Sequence, residues 1–570
     1  MSARALRRLL VGYFLFVVLA GVAVRTWFAL GKPAREEVVV TWWRNGVRVA
    51  RDVHGPGEAR KKPLPDVWVA EEAVVGEAPL YLHPLLFTLG LVPGRDGVKA
   101  TLDGKVAYAT VDDLLSVQAY DRAHYWAQAS FGWGTHQESV IAVLADQLGV
   151  PPHEVKHRAT FRRVRFERRP FQPPAIPTPA TMVPIKERPA HVTEKDLTRE
   201  LVMDAVLEAA SHLTRSVDGS GEFRYLIDAT TNKTVPGYNW PRHAGTTFFL
   251  AQAAAVLDNP TIRYAALRAA ARLRDHMMRD CGAHRCIAPD VPQAEIGSTA
   301  LALIAFTEIV RTGADGSYRP AIVDLAAFLR SQQRPDGELM HLYDRVNKKP
   351  IDVQFLYFTG EAALALARAH EVTGDPRDLD AARRALSRLS GAGWSFFGSR
   401  YYFSEEHWTC QAVAELWDRA PDEKALEFCS RWHEFQRRLQ LDADETPFDA
   451  DGSFGFGPLV SPRVTPASSR GEAAGALAHV LWREKLAGRH ARDAELVLVE
   501  RELRRAIAFV MRQQFHPGPA YLFADPLAVR GAVPGSPVDW QLRIDYAQHA
   551  GSMMVRWLEI DALARGEAKP

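Results

Sequence analysis

The chain has 570 residues, 47% of them hydrophobic and 24% charged, with a formal net charge of +2. That balance excludes a low-complexity disordered chain, and with no basic face or nucleic-acid module in the sequence no nucleic-acid partner is expected. The length exceeds what one ordinary core supports, so two or three domains are expected.

The first segment, residues 1–31, reads "MSARALRRLLVGYFLFVVLAGVAVRTWFALG". Three arginines (Arg4, Arg7, Arg8) precede an uncharged run from Leu9 to Val24, and Arg25 then interrupts. The run reaches bilayer length if Arg25 snorkels to the far interface. A cleaved signal peptide is the competing reading, with small residues from Ala29 to Gly31. No clean "AxA" site is present, which favours an uncleaved membrane anchor. Positive charges on the two flanks nearly balance, but so short a leading segment commonly exports the polypeptide behind it. The expected placement is a single pass in the inner membrane, with the bulk of the chain periplasmic or extracellular.

Residues 35–168 read as a small α/β accessory domain. "VKATLDGKVAYATV" alternates around Asp103 and Gly104, a hairpin signal. Two helical stretches come next, 110–131 and 135–150, with Thr110 and Thr135 as N-cap candidates. "ATFRRVRFERR" alternates again and predicts a last strand. Residues 169–189 then form a linker, "PFQPPAIPTPATMVPIKERP", whose seven prolines between Pro170 and Pro189 favour a stiff, extended connection.

From 190 to 566 the periodicity is helical almost throughout. Twelve segments are predicted, near 195–218, 243–256, 259–281, 295–312, 317–332, 357–373, 377–390, 405–419, 421–438, 469–485, 491–514 and 546–561. They alternate between amphipathic segments, such as "RYAALRAAARLRDHMMRD", and segments apolar nearly all round, such as "IGSTALALIAFTEIV". A helix apolar on every side must be buried on every side, whereas an amphipathic one keeps a solvent face. Six hairpins with the apolar helices inside therefore predict a mainly α fold, the (α/α)6 toroid. Gly245, Gly297, Gly360 and Gly471 near the inner-helix starts permit close approach. An open solenoid of helix pairs is the alternative. Cys281 and Cys286 are spaced for a local disulfide, and Cys410 and Cys429 for a bridge between neighbouring helices. A zinc site with His284 is the other reading of the first pair.

In such a ring all six inner N-termini open onto one funnel. The junctions leading into them are "GYNWPRHAG", "DVPQAEIGS", "DVQFLYFTGEA", "RYYFSEEHW", "TPASSRGEA" and "RIDYAQHAG". Each brings carboxylate, imidazole, guanidinium or aromatic groups. Acidic residues are ordinary at helix starts, where they cap N–H groups, so Glu295, Glu361 and Glu472 each have a purely structural reading. Capping does not explain Arg242, His243, His407, Arg470 and His549 at the same ends, because cations there oppose the helix dipole.

The six-hairpin pattern with polar and aromatic inner-helix starts resembles the (α/α)6-toroid carbohydrate-active enzymes, which include glycoside hydrolases, polysaccharide lyases and sugar epimerases. The resemblance covers residues 190 to 566 at the level of architecture. The C-terminal domain of glucuronyl C5-epimerase is similar in general layout. Terpenoid cyclases share the toroid, and "FLRSQQRPDGEL" is similar to their repeat punctuation, but their "DxDD" acid motif has only a distant counterpart in "LDADET".

The resemblance implies a glycan-active enzyme of hydrolase, lyase or epimerase type, acting on an envelope or extracellular polysaccharide. A non-catalytic glycan-binding or assembly subunit and a toroid acting on a lipid or isoprenoid are the alternatives. Hydrolysis needs two carboxyl groups about the scissile bond. Lyase or epimerase chemistry needs a base and an acid about a carbon beside a carboxylate, with an arginine to neutralise that carboxylate. Glu361 and Asp545 are the expected acid/base pair, with Tyr546 and His549 as alternative proton donors. His243 and Arg242 are expected to orient or neutralise an anionic group. Asn239, Trp240, Glu295, Asp352, Tyr357, Tyr402, Glu406, His407, Arg470 and Glu472 complete the expected substrate-binding wall. Phe355 and Trp408 add stacking surfaces, and Arg543 adds a cation. No metal and no cofactor are expected; the expected partners are a glycan and, through residues 1–31, a membrane.

Overall fold

The computed structural model describes residues 19, 29–33, 36–55, 67–123, 133–168, 192–391, 407–442, 450–455, 461–515 and 520–567. The predicted anchor, apart from Leu19 and residues 29–31, and the proline-rich linker lie outside the described residues. No helix among the described residues is long and apolar enough to cross a membrane. Contacts divide the chain into two compact units, Met1–Met182 with Gly457–Ser461, and Val183–Phe456 with Pro462–Pro570.

The first unit is built on a six-stranded sheet. Its strands are β1 (Val38–Arg44), β2 (Val47–His54), β3 (Trp68–Pro79), β4 (Asp96–Leu102), β5 (Lys105–Ala109) and β6 (Thr160–Arg168), ordered β2-β1-β3-β6-β4-β5. Every neighbouring pair is antiparallel. The β4–β5 turn is Asp103-Gly104, both left-handed with φ of 50° and 79°, as a tight two-residue hairpin requires. Thr110 caps a helix with a full capping box, but that helix is only Val111–Ser116, well short of the predicted 110–131. Gln118 turns the chain at φ 48° and Tyr120–Ala123 is a strand. Thr135, unlike Thr110, is not a cap; the helix Gln137–Leu148 starts from His136.

Among its described residues the second unit contains twelve long helices: α1 (Arg199–Ser216), α2 (Trp240–Val256), α3 (Pro260–Met277), α4 (Ile296–Arg311), α5 (Arg319–Ser331), α6 (Phe358–Thr373), α7 (Pro376–Ser390), α8 (His407–Leu416), α9 (Glu423–Arg437), α10 (Val464–Leu486), α11 (Asp493–Gln513) and α12 (Ile544–Ala564). The even helices touch in sequence, α2 on α4, α4 on α6, α6 on α8, α8 on α10 and α10 on α12, and α12 returns to pack on α2. That last contact closes the ring, so the unit is an (α/α)6 toroid and not an open superhelix. The odd helices lie against the even ones. Burial follows the composition: every residue of α4 from Ile296 to Val310 is buried, whereas α3 buries one face.

Small residues set the inner spacing. A Cβ at Gly471 would lie 2.0 Å from Met553 Sδ, and one at Gly551 would lie 2.0 Å from the Phe249 ring. α10 therefore packs on α12, and α12 on α2, through side-chain-free positions. All four cysteines are in disulfides, Cys281–Cys286 across the hairpin Met278–Cys281/His284–Ile287 and Cys410–Cys429 between α8 and α9. The zinc reading of the first pair is thereby corrected, because a disulfide sulfur is not a thiolate ligand.

Short sheets stitch the loops before the inner helices. Lys233–Thr234, Leu226–Asp228 and Gln541–Arg543 join the segments that lead into α2 and α12. Gln293–Glu295, Leu342–Asp344 and Lys349–Ile351 do the same for α4 and α6. The rim is thus held by backbone pairing, which fixes where its side chains start from.

Candidate active site at the inner-helix starts

The stretch "GYNWPRHAG" forms the start of α2. Asn239 is the N-cap, its side chain accepting the Arg242 backbone N–H at 3.1 Å, so its polar atom serves the helix. Trp240 packs on Tyr238 and His243, with ring centroids 4.7 and 5.4 Å apart. His243 is fully buried. Its Nε2–H donates to the Ala269 carbonyl at 2.9 Å, and its Nδ1 accepts the Tyr238 hydroxyl at 2.6 Å. The Phe223 N–H donates in turn to Tyr238 Oη at 3.1 Å. His243 therefore pins the rim loop to α3 and does not reach a substrate, which corrects the role expected for it. Asn239 is likewise structural, and Trp240 is half-buried on the same aromatic group.

Burial depresses the His243 pKa to about 4. A base depressed in the fold is protonated first in the unfolded chain, so stability falls as pH drops from 6.5 toward 4 and levels off below that. The expected contribution is about 3 kcal/mol over this window. Unfolding free energies of wild type and His243→Gln, measured from about pH 7 to about pH 4, should differ by this amount in their total change over the range; equal changes would contradict the buried neutral imidazole.

Asp545, in the first turn of α12, is also buried. Arg543 grips it with Nε on Oδ1 at 2.5 Å and Nη2 on Oδ2 at 2.8 Å, and Arg242 approaches with Nε at 3.2 Å. Burial alone would push this carboxyl up, but the two arginines outweigh it and hold it below the usual aspartate value. A carboxylate so stabilised as an anion is a poor proton donor. Asp545 is therefore corrected from one half of an acid/base pair to the anchor of an arginine pair. Tyr546 lies beneath the Arg543 guanidinium, 4.6 Å from ring centroid to charge, and burial pushes its hydroxyl up to about 12; that is too high for ready donation at neutral pH.

A different group emerges from α8, α10 and α12. His549 Nδ1 lies 2.8 Å from Glu472 Oε2, and His407 Nε2 lies 3.6 Å from the same oxygen. The two imidazoles meet edge to face at 5.2 Å, and Trp408 stands 4.4 Å from His407 and 6.3 Å from His549. Glu472 and His407 are buried, and His549 keeps 13% of its side-chain surface. Glu472 is not a cap. α10 begins at Val464, so Glu472 lies in the third turn, where no free N–H group needs it. The ligating atoms of the three lie within 4.8 Å of one another, a two-histidine, one-carboxylate set whose composition also suits a divalent transition metal.

The remaining candidates separate. Glu361 is buried at the start of α6, its carboxylate in the space left by Gly297; a Cβ there would lie 2.8 Å from Oε2 and 2.5 Å from the Phe358 ring. Tyr357 is the N-cap of α6 and packs on the toroid core. Glu295 is exposed at the N-cap of α4 and makes no cap bond. Asp352 is exposed and held by Arg334, both oxygens at 3.0 Å, so it is corrected to a surface ion pair. Arg470 is corrected too: α10 starts earlier than predicted, at Val464, and the buried guanidinium lies 5.0 Å over Phe454. Trp408 is buried, backing the imidazoles with little face left to stack on a sugar, whereas Phe355 is 46% exposed. Tyr402 and Glu406 lie outside the described residues.

The sequence reading missed Tyr225, whose hydroxyl accepts from Arg242 Nη1 at 2.8 Å. The one local signal is the period-two pair Phe223 and Tyr225 leading into a rim strand.

No protein-family model matches the chain, and no curated protein matches it. Among solved structures, a D-mannose isomerase is 13% identical with a TM-score of 0.48, over 65% of this chain and 100% of that one. A cellobiose 2-epimerase from Spirochaeta thermophila is 13% identical at TM-score 0.47, over 64% and 98%. An unsaturated glucuronyl hydrolase specific for heparin is 12% identical at TM-score 0.45, over 65% and 99%. These figures describe a likeness of architecture; the toroid itself rests on the closed ring of inner helices.

Proposed function

We propose that the toroid is a carbohydrate-active enzyme of epimerase or lyase type, whose proton-transfer centre is His407, Glu472 and His549. The observation that carries this reading is Glu472, a buried carboxylate in mid-helix that hydrogen-bonds His549 at 2.8 Å and lies 3.6 Å from His407, imidazoles carried by two other inner helices. Burying a charge there costs stability and offers no capping in return. A carboxylate that orients imidazoles is the arrangement general acid–base chemistry needs. One imidazole takes a proton from a sugar carbon next to a carbonyl or carboxylate, and the electron pair moves onto that group as an enolate. Return of a proton to the other face inverts the carbon; loss of the glycosidic oxygen at the next carbon, as a protonated leaving group, cleaves the chain. Direct hydrolysis would call for two free carboxyl groups across the bond, and Asp545 is committed to its arginines.

The substrate proposed is a polysaccharide of the envelope or the extracellular space, reached by a toroid tethered through residues 1–31. The two disulfides support an oxidising compartment for the toroid. A non-catalytic glycan-binding subunit is the second reading, favoured by Asp545 and Asp352 being held in ion pairs.

The test incubates the full chain with a polysaccharide panel in D2O. Deuterium entering sugar C–H positions, or an unsaturated product, is the expected result. New reducing ends without deuterium would replace the reading with hydrolysis, and binding without any reaction would favour the second reading. Activity abolished by a chelator and restored by a divalent metal would replace the proton-transfer centre with a metal centre.

A further inference from the structure

The arginine pair around Asp545 carries more charge than that residue balances. Arg543 takes both carboxylate oxygens of Asp545 in a fork, so the aspartate is already matched to one guanidinium. Arg242 adds a second positive charge at the same carboxylate, with Nε 3.2 Å from Oδ2. The neighbouring Arg463 and Asp539 pair with each other and add no net charge. Two guanidiniums against one carboxylate leave one positive charge in excess, and it resides on Arg242, which keeps 38% of its side-chain surface.

Arg242 is also held in place. Its Nη1 donates to Tyr225 Oη at 2.8 Å, and no hydrogen bond fills Nη2 among the described residues. Tyr225 and Asp545 thus orient the guanidinium while its outer edge remains open. A planar, oriented guanidinium matches a planar carboxylate and prefers it to a neutral hydroxyl.

The position relative to the proton-transfer centre is fixed by one helix. Asp545 and His549 are four residues apart on α12, hence on one face and about 6 Å apart along it. A sugar carboxylate bound at Arg242 would then set its neighbouring carbon toward His549. Neutralising that carboxylate is what makes the adjacent C–H acidic enough to lose a proton.

We infer that Arg242, supported by Tyr225, Asp545 and Arg543, is the subsite for the carboxylate of a hexuronate unit, so that the substrate is an acidic glycan. This rests on the proton-transfer reading of His407, Glu472 and His549.

The experiment measures binding in the full chain carrying Glu472→Gln, so that turnover plays no part. The probes are a uronate oligosaccharide, the same oligosaccharide with its carboxyls reduced to alcohols, and a neutral oligosaccharide bearing sulfate esters. The uronate form should bind at least about tenfold more tightly than the reduced form, and added Arg242→Gln should remove the preference. Arg242→Lys should restore part of it, since the charge returns without the fork. Tyr225→Phe, which deletes only the orienting hydroxyl, should weaken the preference by roughly threefold to tenfold and keeps the test open should the arginine variants fold poorly. Equal affinity for uronate and reduced forms, tighter binding of the sulfated probe, or a preference that survives Arg242→Gln overturns the inference. If the uronate preference holds while Glu472→Gln retains full turnover on the same glycan, the proton-transfer centre fails and the subsite stands.

Discussion

Glu472→Gln is expected to lower turnover by roughly two to four orders of magnitude while the toroid stays folded. The amide keeps the shape of the side chain but loses the negative charge that faces His549 at 2.8 Å and His407 at 3.6 Å. The contrast is Asp545→Asn, where the arginine fork loses its counter-charge; weaker binding and lower stability are expected there, with a smaller effect on the chemical step. Turnover and melting temperature of both variants, measured on the same glycan, separate the two roles. Full turnover in Glu472→Gln would remove this residue from the mechanism.

Arg368→Met is expected to cost the toroid about 3–5 kcal/mol, because it breaks a buried ion network and leaves its acids short of one cation. This network lies at the C-terminal ends of α4, α6 and α8, opposite the inner-helix starts. Arg368 Nη1 meets Glu308 Oε2 at 2.6 Å and its Nε meets Glu415 Oε2 at 3.2 Å. Arg311 reaches Glu371 at 3.2 Å, Glu415 at 3.4 Å and Glu308 at 3.7 Å. Glu371 shows how tight the charge balance is: burial and the nearby Glu415 carboxylate raise its pKa despite Arg311 and Arg419. With Arg368 gone, three carboxylates face fewer cations inside the ring. Denaturant unfolding of the toroid measures the loss, and residual activity of the folded fraction should be unchanged because His407, Glu472 and His549 lie toward the other ends of their helices. A loss below about 1 kcal/mol would show that water or rearrangement compensates the charges.

Much of the architecture is written in local pattern. Whether a helix is apolar all round or on one stripe depends on its own residues, and burial rewards that pattern directly. All twelve predicted segments accordingly correspond to helices in the structure. Asp103-Gly104 announced its hairpin for the same reason, since few residues tolerate that backbone. The start of α10 was harder to read: "TPASS" has the composition of a loop, yet proline and small polar residues are equally at home in a first helical turn. Those few residues decided whether Glu472 was a cap or a buried carboxylate in mid-helix.

The sequence determined that polar groups collect at the inner-helix starts; only the tertiary structure decided which of them stay open and which are spent on one another. Successive helical residues point about 100° apart, so neighbours such as Arg242 and His243 leave the same turn in different directions. His243 went into the wall because Ala269 of α3 and Tyr238 of the rim loop lie beside it. Arg242 stayed partly open beside Asp545, which belongs to the last helix of the chain. Partners that distant leave no periodic trace, because ring closure between α12 and α2 is what brings them together.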